Sequence, residues 1–278
     1  MVTLSPYRTI GCADICIRKK STTTMMISFY KAACKYALVF FLGLTVISCG
    51  KDDDKVEPEK PDYGNFYKTI SVRNFQGDTT DSNPTAPKVT LYYSLENNER
   101  VAESYQKTTR WDLSFGALYS SALAGNNGAD QTNYGSGSSA TGGILILAQA
   151  FDDVVDIPSD DQFKTGKDLF MTDNAGDFGT GTGWYIYDFG GTKVGDGSYD
   201  KQHVVYALGD GVTMADKTQI APRTLVVRTA NGNYAKIKMI SVYKDALTID
   251  KWTRNAPHMY FNFDYLMVPK GSTKFETK

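Results

Sequence analysis

Few residues in this chain are equipped for bond-making chemistry. Beyond residue 48 there are two histidines, His203 and His258, and neither belongs to a histidine-carboxylate motif, so general acid-base catalysis has little to work with. The acidic stretch with Asp152, Asp153, Asp156, Asp160 and Asp161 has the residue type for paired carboxylates in glycoside hydrolysis or for oxygen ligands to calcium. A solvated loop between strands is the commoner use of such a stretch, and a secreted hydrolase built on it is the weakest alternative. The run Asp173-Asn174-Ala175-Gly176-Asp177 breaks the spacing of a calcium loop. Gly179-Thr180-Gly181-Thr182-Gly183 lacks the lysine and following helix of a phosphate loop and reads as a flexible loop that lets a lid or finger move. Gly135-Ser136-Gly137-Ser138-Ser139 lacks the bulky neighbour of a nucleophile elbow, which argues against a serine hydrolase.

The cysteines point to export. Cys12 and Cys16 have the spacing of half a zinc site, but no second cysteine or histidine pair stands near them. Lys31 and Lys35 lead into the apolar run Ala37 to Ile47, too short to span a bilayer as a helix and of the length of a signal-peptide core. Small Ser48 then precedes Cys49, an arrangement that resembles the lipobox of bacterial lipoproteins, whose cysteine is acylated and becomes the first residue. Processing there removes Cys12, Cys16 and Cys34 and leaves a chain with no disulfide. Lys51-Asp52-Asp53-Asp54 resembles the signal that carries lipoproteins to the outer surface in Bacteroidetes-type bacteria. Met25 or Met26 suits this signal as a start better than Met1.

Three segments follow: a precursor segment 1–48, a lipidated cysteine with a flexible acidic tether at 49–65, and a folded domain at 66–278. The whole chain has 30 Lys+Arg and 31 Asp+Glu; the precursor holds six basic residues and one acidic, leaving 24 against 30 and a net charge of −6. Such a surface argues against nucleic acid, which needs basic patches to displace phosphate counterions. About 230 residues with abundant Tyr and Phe are enough for one sizeable core.

The elements that must position any site are strands. Short apolar or alternating runs punctuated by Gly, Asn, Asp and Pro predict an all-β domain with strands at Val89–Leu95, Trp111–Phe115, Gly143–Ala150, Trp184–Phe189, His203–Leu208, Arg223–Thr229, Tyr234–Tyr243 and Met259–Val268. Ser94 to Tyr105 suits a short helix or a loop turn. Asn231-Gly232 between two strands predicts a type I′ hairpin. Ala235, Ile237 and Met239 then face the core with Lys236 and Lys238 in water, and Phe261, Phe263, Tyr265 and Met267 face it with Asn262 and Asp264 outside.

The strand Arg110-Trp111-Asp112-Leu113-Ser114-Phe115 and the late hairpin carrying Arg223, Val227, Arg228, Gly232, Ala235 and Lys236, followed by Tyr243, resemble the HmuY-like family of haem-binding lipoproteins. The glycine break Thr141-Gly142-Gly143 fits as well, and the resemblance runs from about Tyr67 to Met267. It implies a single HmuY-like β domain with extended loops that grip haem or a related tetrapyrrole through two axial ligands, histidine or methionine. By that resemblance Gly209 to Met214 occupies one ligand loop and Phe170 to Gly176 lies near the other. Met171 and Met214 are thereby the favoured axial ligands to the iron, with His203 as a third candidate. Tyr185, Tyr187 and Phe170 are of a type to stack on a porphyrin, although strand aromatics usually belong to the core. The resemblance further implies a non-enzymatic hemophore serving iron acquisition. Its partners would be haem or a haem-carrying host protein and an outer-membrane haem transporter, with the membrane reached by the lipid anchor alone. The alternative is a surface adhesion or glycan-binding β module that has lost haem ligation.

Overall fold

The computed structural model describes residues 62–80, 83 and 86–278; the signal segment, Cys49 and the tether through residue 61 lie outside the described residues. Thirteen strands and four single-turn 3₁₀ helices make up the described chain, none of them long or apolar enough to cross a membrane as a helix. The fold is all-β.

The largest sheet has five antiparallel strands in the order β1-β13-β12-β11-β6: β1 (Thr69–Gln76), β6 (Gly143–Leu147), β11 (Thr224–Arg228), β12 (Tyr234–Tyr243) and β13 (His258–Val268). A four-stranded sheet, β3-β2-β4-β5, joins β2 (Leu91–Ser94), β3 (Glu99–Val101), β4 (Leu113–Gly116) and β5 (Ala122–Gly125). Two hairpins complete the set: β7 (Tyr185–Asp188) with β8 (Val204–Ala207), and β9 (Val212–Thr213) with β10 (Gln219–Ile220). All these ladders are antiparallel.

Apolar residues cover the large sheet on both faces. On one, an aromatic cluster ties it to the four-stranded sheet: Phe115 meets Phe261 at 4.7 Å and Phe75 at 5.3 Å between centroids, and Tyr93 meets Phe263 at 5.5 Å. On the other, Val226, Leu266 and Val268 pack with Val154, Phe163 and Phe275. Two-sided burial explains why β11 reads as the continuous run Leu225-Val226-Val227 rather than an alternation.

It also corrects two expectations. Lys236 is buried, not wet: its ammonium donates to the carbonyls of Phe151 (2.7 Å) and Val154 (3.0 Å) and lies over the Phe151 ring. Lys238, farther along the strand, is half-exposed and pairs with Asp210. Asn262 is fully buried as well, because both neighbours of β13 break register beside it. Its amide donates to the Tyr243 and Tyr260 carbonyls and its oxygen accepts the Asn74 N–H. The Asn-Gly hairpin forms, but not as a two-residue type I′ turn. Arg228 pairs with Tyr234, Gly232 N–H closes onto the Thr229 carbonyl, and only Gly232 of the loop has positive φ (+88°), which is the glycine-bulge solution. Asp112 fixes the longer loop by accepting the Ala230 N–H. Between Ser94 and Tyr105 the chain forms the edge strand β3 and one 3₁₀ turn.

Candidate functional site

The β7–β8 hairpin is anchored from beneath. Trp184 Nε1 donates to the Ser121 carbonyl (2.8 Å), Tyr185 Oη lies 3.0 Å from Ser121 Oγ, and Ile186 is fully buried. Period-two alternation then places Tyr187 on the same side as Tyr185 but nearer solvent. Tyr187 Oη lies 2.8 Å from Nδ1 of His203, the residue just before β8. Among the described residues nothing else hydrogen-bonds that imidazole, so Nε2 is open. Burial first, and then the charge of Arg254, lower the His203 pKa and hold the ring neutral near pH 7, the form that coordinates metal. Burial likewise pushes Tyr187 up to about 12, so it stays a phenol. His203 adopts φ +58°, a left-handed conformation that costs a non-glycine residue of order 1 kcal/mol and aims the ring outward.

Three exposed aromatics gather at this end of the hairpin. Phe178 is 77% exposed, Tyr199 61% and Phe189 50%. Phe189 meets the His203 ring edge-on at 4.6 Å, and Phe178 lies 5.9 Å from Phe189 and 6.1 Å from Tyr187. An apolar patch on a loop cluster is the usual mark of a binding surface, since leaving it in water is unfavourable.

Buried carboxylates set the loops around the patch. Asp188, wholly buried, accepts the N–H groups of Thr192, Lys193, Val194 and Gly195 at 2.9–3.2 Å and so shapes the hairpin tip. Asp173 accepts the N–H groups of Ala175 and Gly183 (3.1 Å each) and pairs with Arg223 at 3.0 Å. The glycine-rich run serves this packing rather than a hinge: a Cβ on Gly179 or Gly183 would run into the Asp173 backbone. Met171 leads into that loop and Met214 directly follows β9; both are half-buried against the main core. Lys193 joins the two loops, pairing with Asp177 (3.5 Å) through its ammonium and accepting the Ala215 N–H (2.7 Å) at its carbonyl. Phe170 and Tyr185, offered as stacking residues, are core.

His258 lies at the start of β13, its ring 6.3 Å from Tyr119, and lines a cleft of about 430 Å³ with Thr79, Arg254, Asn255, Ala256, Pro257 and Tyr260. The aspartate cluster gathers no metal cage among the described residues; Asp160 instead pairs with Arg228 (3.0 Å) and accepts the Tyr234 hydroxyl (2.8 Å). Sequence reasoning missed Phe178, Phe189, Tyr199 and Arg254. A signal was present: Asp177-Phe178-Gly179 and Asp188-Phe189-Gly190 each set a large apolar residue between residues that favour loops.

The model of the HmuY protein family matches residues 87–264. Two crystal structures are similar at 13% identity. One is of a Bacteroides fragilis protein described as a candidate lipoprotein, with 76% of this chain and 96% of that chain covered at a TM-score of 0.35. The other is of the apo HmuY analog of Tannerella forsythia, with 74% and 100% covered at a TM-score of 0.32. A search of curated proteins gives no match. The matched segment runs from the residues leading into β2 through most of β13, taking in the Trp-Asp strand, the late hairpin and every loop around the aromatic patch, and on that span the chain belongs to the HmuY family.

Proposed function

We propose that this chain is a lipid-anchored surface protein that captures haem, or a related tetrapyrrole, and passes it on for uptake. The observation that carries the reading is the His203 site: an outward imidazole, its Nδ1 tied to Tyr187 and its Nε2 open, set among the exposed rings of Phe178 and Phe189. Those residues suit the ligand. Flat apolar rings match the face of a macrocycle, and a neutral imidazole held through its second nitrogen is a strong axial donor to iron. His203 would supply one ligand to the iron, and a thioether from the loops carrying Met171 or Met214 would supply a second. Capture is a binding event without covalent chemistry, in keeping with a family of binders rather than enzymes. Delivery to an outer-membrane transporter, attachment through Cys49 and outward display directed by Lys51 to Asp54 belong to the same proposal.

Haemin titrated into the intact protein in detergent should give a sharpened, shifted Soret band at one equivalent. His203→Ala should change that spectrum, as should whichever of Met171→Ala and Met214→Ala removes the second ligand. A spectrum that stays that of free haemin in both oxidation states would end the haem reading. Retention of the protein on glycan or host-protein surfaces without any chromophore would then favour the adhesion alternative.

A further inference from the structure

The cleft beside the aromatic patch has a cation at its mouth. Arg254 lies between β12 and β13, and its backbone N–H donates to the Asp200 carbonyl (2.8 Å), which docks this connection onto the β7–β8 tip. Its half-buried guanidinium stacks on Tyr199, 4.4 Å from the ring centroid, and donates to Gln202 Oε1 at 3.3 Å. Among the described residues no carboxylate lies within ion-pair distance of it, although most other arginines are paired: Arg73 with Asp264, Arg223 with Asp173 and Arg228 with Asp160. Asp200 meets Arg254 only through its carbonyl, and Asp188 at the end of β7 is occupied by four N–H groups. A second cation, Lys244, lies over Tyr260 on the cleft wall.

A partly desolvated guanidinium without a counter-ion is unfavourable unless a ligand completes it, and its planar fork matches a carboxylate. Arg254 lines the cleft and also acts electrostatically on His203, so it stands where the aromatic patch and the cleft meet. On the reading that the patch receives a tetrapyrrole, we infer that Arg254 is its anion subsite, binding the carboxylate side chains at the macrocycle edge while His203 addresses the metal. The ligand class is thereby narrowed to tetrapyrroles that carry free carboxylates, and Arg254 also sets which edge of the ring enters.

The test is a thermodynamic cycle on the intact protein in detergent, with haemin and haemin dimethyl ester as probes and Arg254→Gln and Arg254→Lys as variants. The expected result is that haemin binds the native protein about tenfold more tightly than the ester, as a charge-assisted pair implies. Arg254→Gln should lose about tenfold for haemin and little for the ester, and Arg254→Lys should recover part of the difference. Equal losses for both probes in Arg254→Gln, or no loss for either, would overturn the anion subsite and leave haem binding intact. Absence of binding by the native protein would overturn both. Unchanged circular dichroism of the variants separates a binding defect from a folding one.

Discussion

At the scale of residues, the proposed function gives each group around His203 a role that can be tested. Tyr187 holds Nδ1, and on the proposed function Nε2 is the ligand atom, so Tyr187→Phe should keep the fold but free the ring to rotate, weakening haemin several-fold and broadening the Soret band. A tyrosine that only packs would leave the titration unchanged on loss of its hydroxyl. Asp112 gives a second test at this scale. It is buried and accepts the N–H groups of Leu95, Glu96 and Ala230, yet burial, followed by the charge of Glu96, pushes its carboxyl up to about 7. Because the folded state then holds the proton more tightly than the unfolded chain, Asp112 stabilises the fold most below about pH 4 and that contribution is lost between about pH 4 and 7. Urea midpoints of the native protein compared with Asp112→Asn should therefore diverge across this window and run parallel above it. A constant difference from pH 4 to 7 would show that Asp112 stays ionised throughout.

At the scale of elements, buried carboxylates tie the loops together through their N–H groups. Asp173→Ala would strand Arg223, whose side chain is 12% exposed, and free the N–H groups of Ala175 and Gly183, so it should cost about 3 kcal/mol in urea unfolding. A loss under 0.5 kcal/mol would mean that the loop holds without it. This explains which parts of the molecule were legible beforehand. Long strands with strong periodicity, β12 and β13 above all, stand out in the sequence because their apolar sets repeat over many residues. β1, β3, β5 and the β9–β10 hairpin did not, since they are short or carry charged and small residues and are defined by long-range partners. The buried Lys236 and Asn262 were illegible for the same reason: what covers them comes from residues distant in the chain. For the proposed site, residue type and family resemblance offered Met171 and Met214 first and His203 third, and it is the surroundings of His203 in the fold that move it to the front of the proposal. The exposed rings beside them and Arg254 emerge only when β7, β8 and the β12–β13 connection are brought together.

At the scale of the whole molecule, the β7–β8 hairpin, separate from the doubly covered five-stranded sheet, carries a patch of rings and one outward histidine, and the proposed anchor would keep that patch near the cell surface. Cys49→Ala should move the protein from the detergent-soluble membrane fraction to the soluble fraction; continued membrane retention would require another attachment. On the proposed function the patch receives haem, with His203, its Nδ1 held by Tyr187, at its centre. The most direct measurement is a haemin titration of the intact native protein beside His203→Ala, followed in the Soret region under oxidising and reducing conditions. Saturation at one equivalent with a shifted band in the native protein, and a changed band or weaker binding in His203→Ala, is the predicted result; identical free-haemin spectra for both proteins would contradict it.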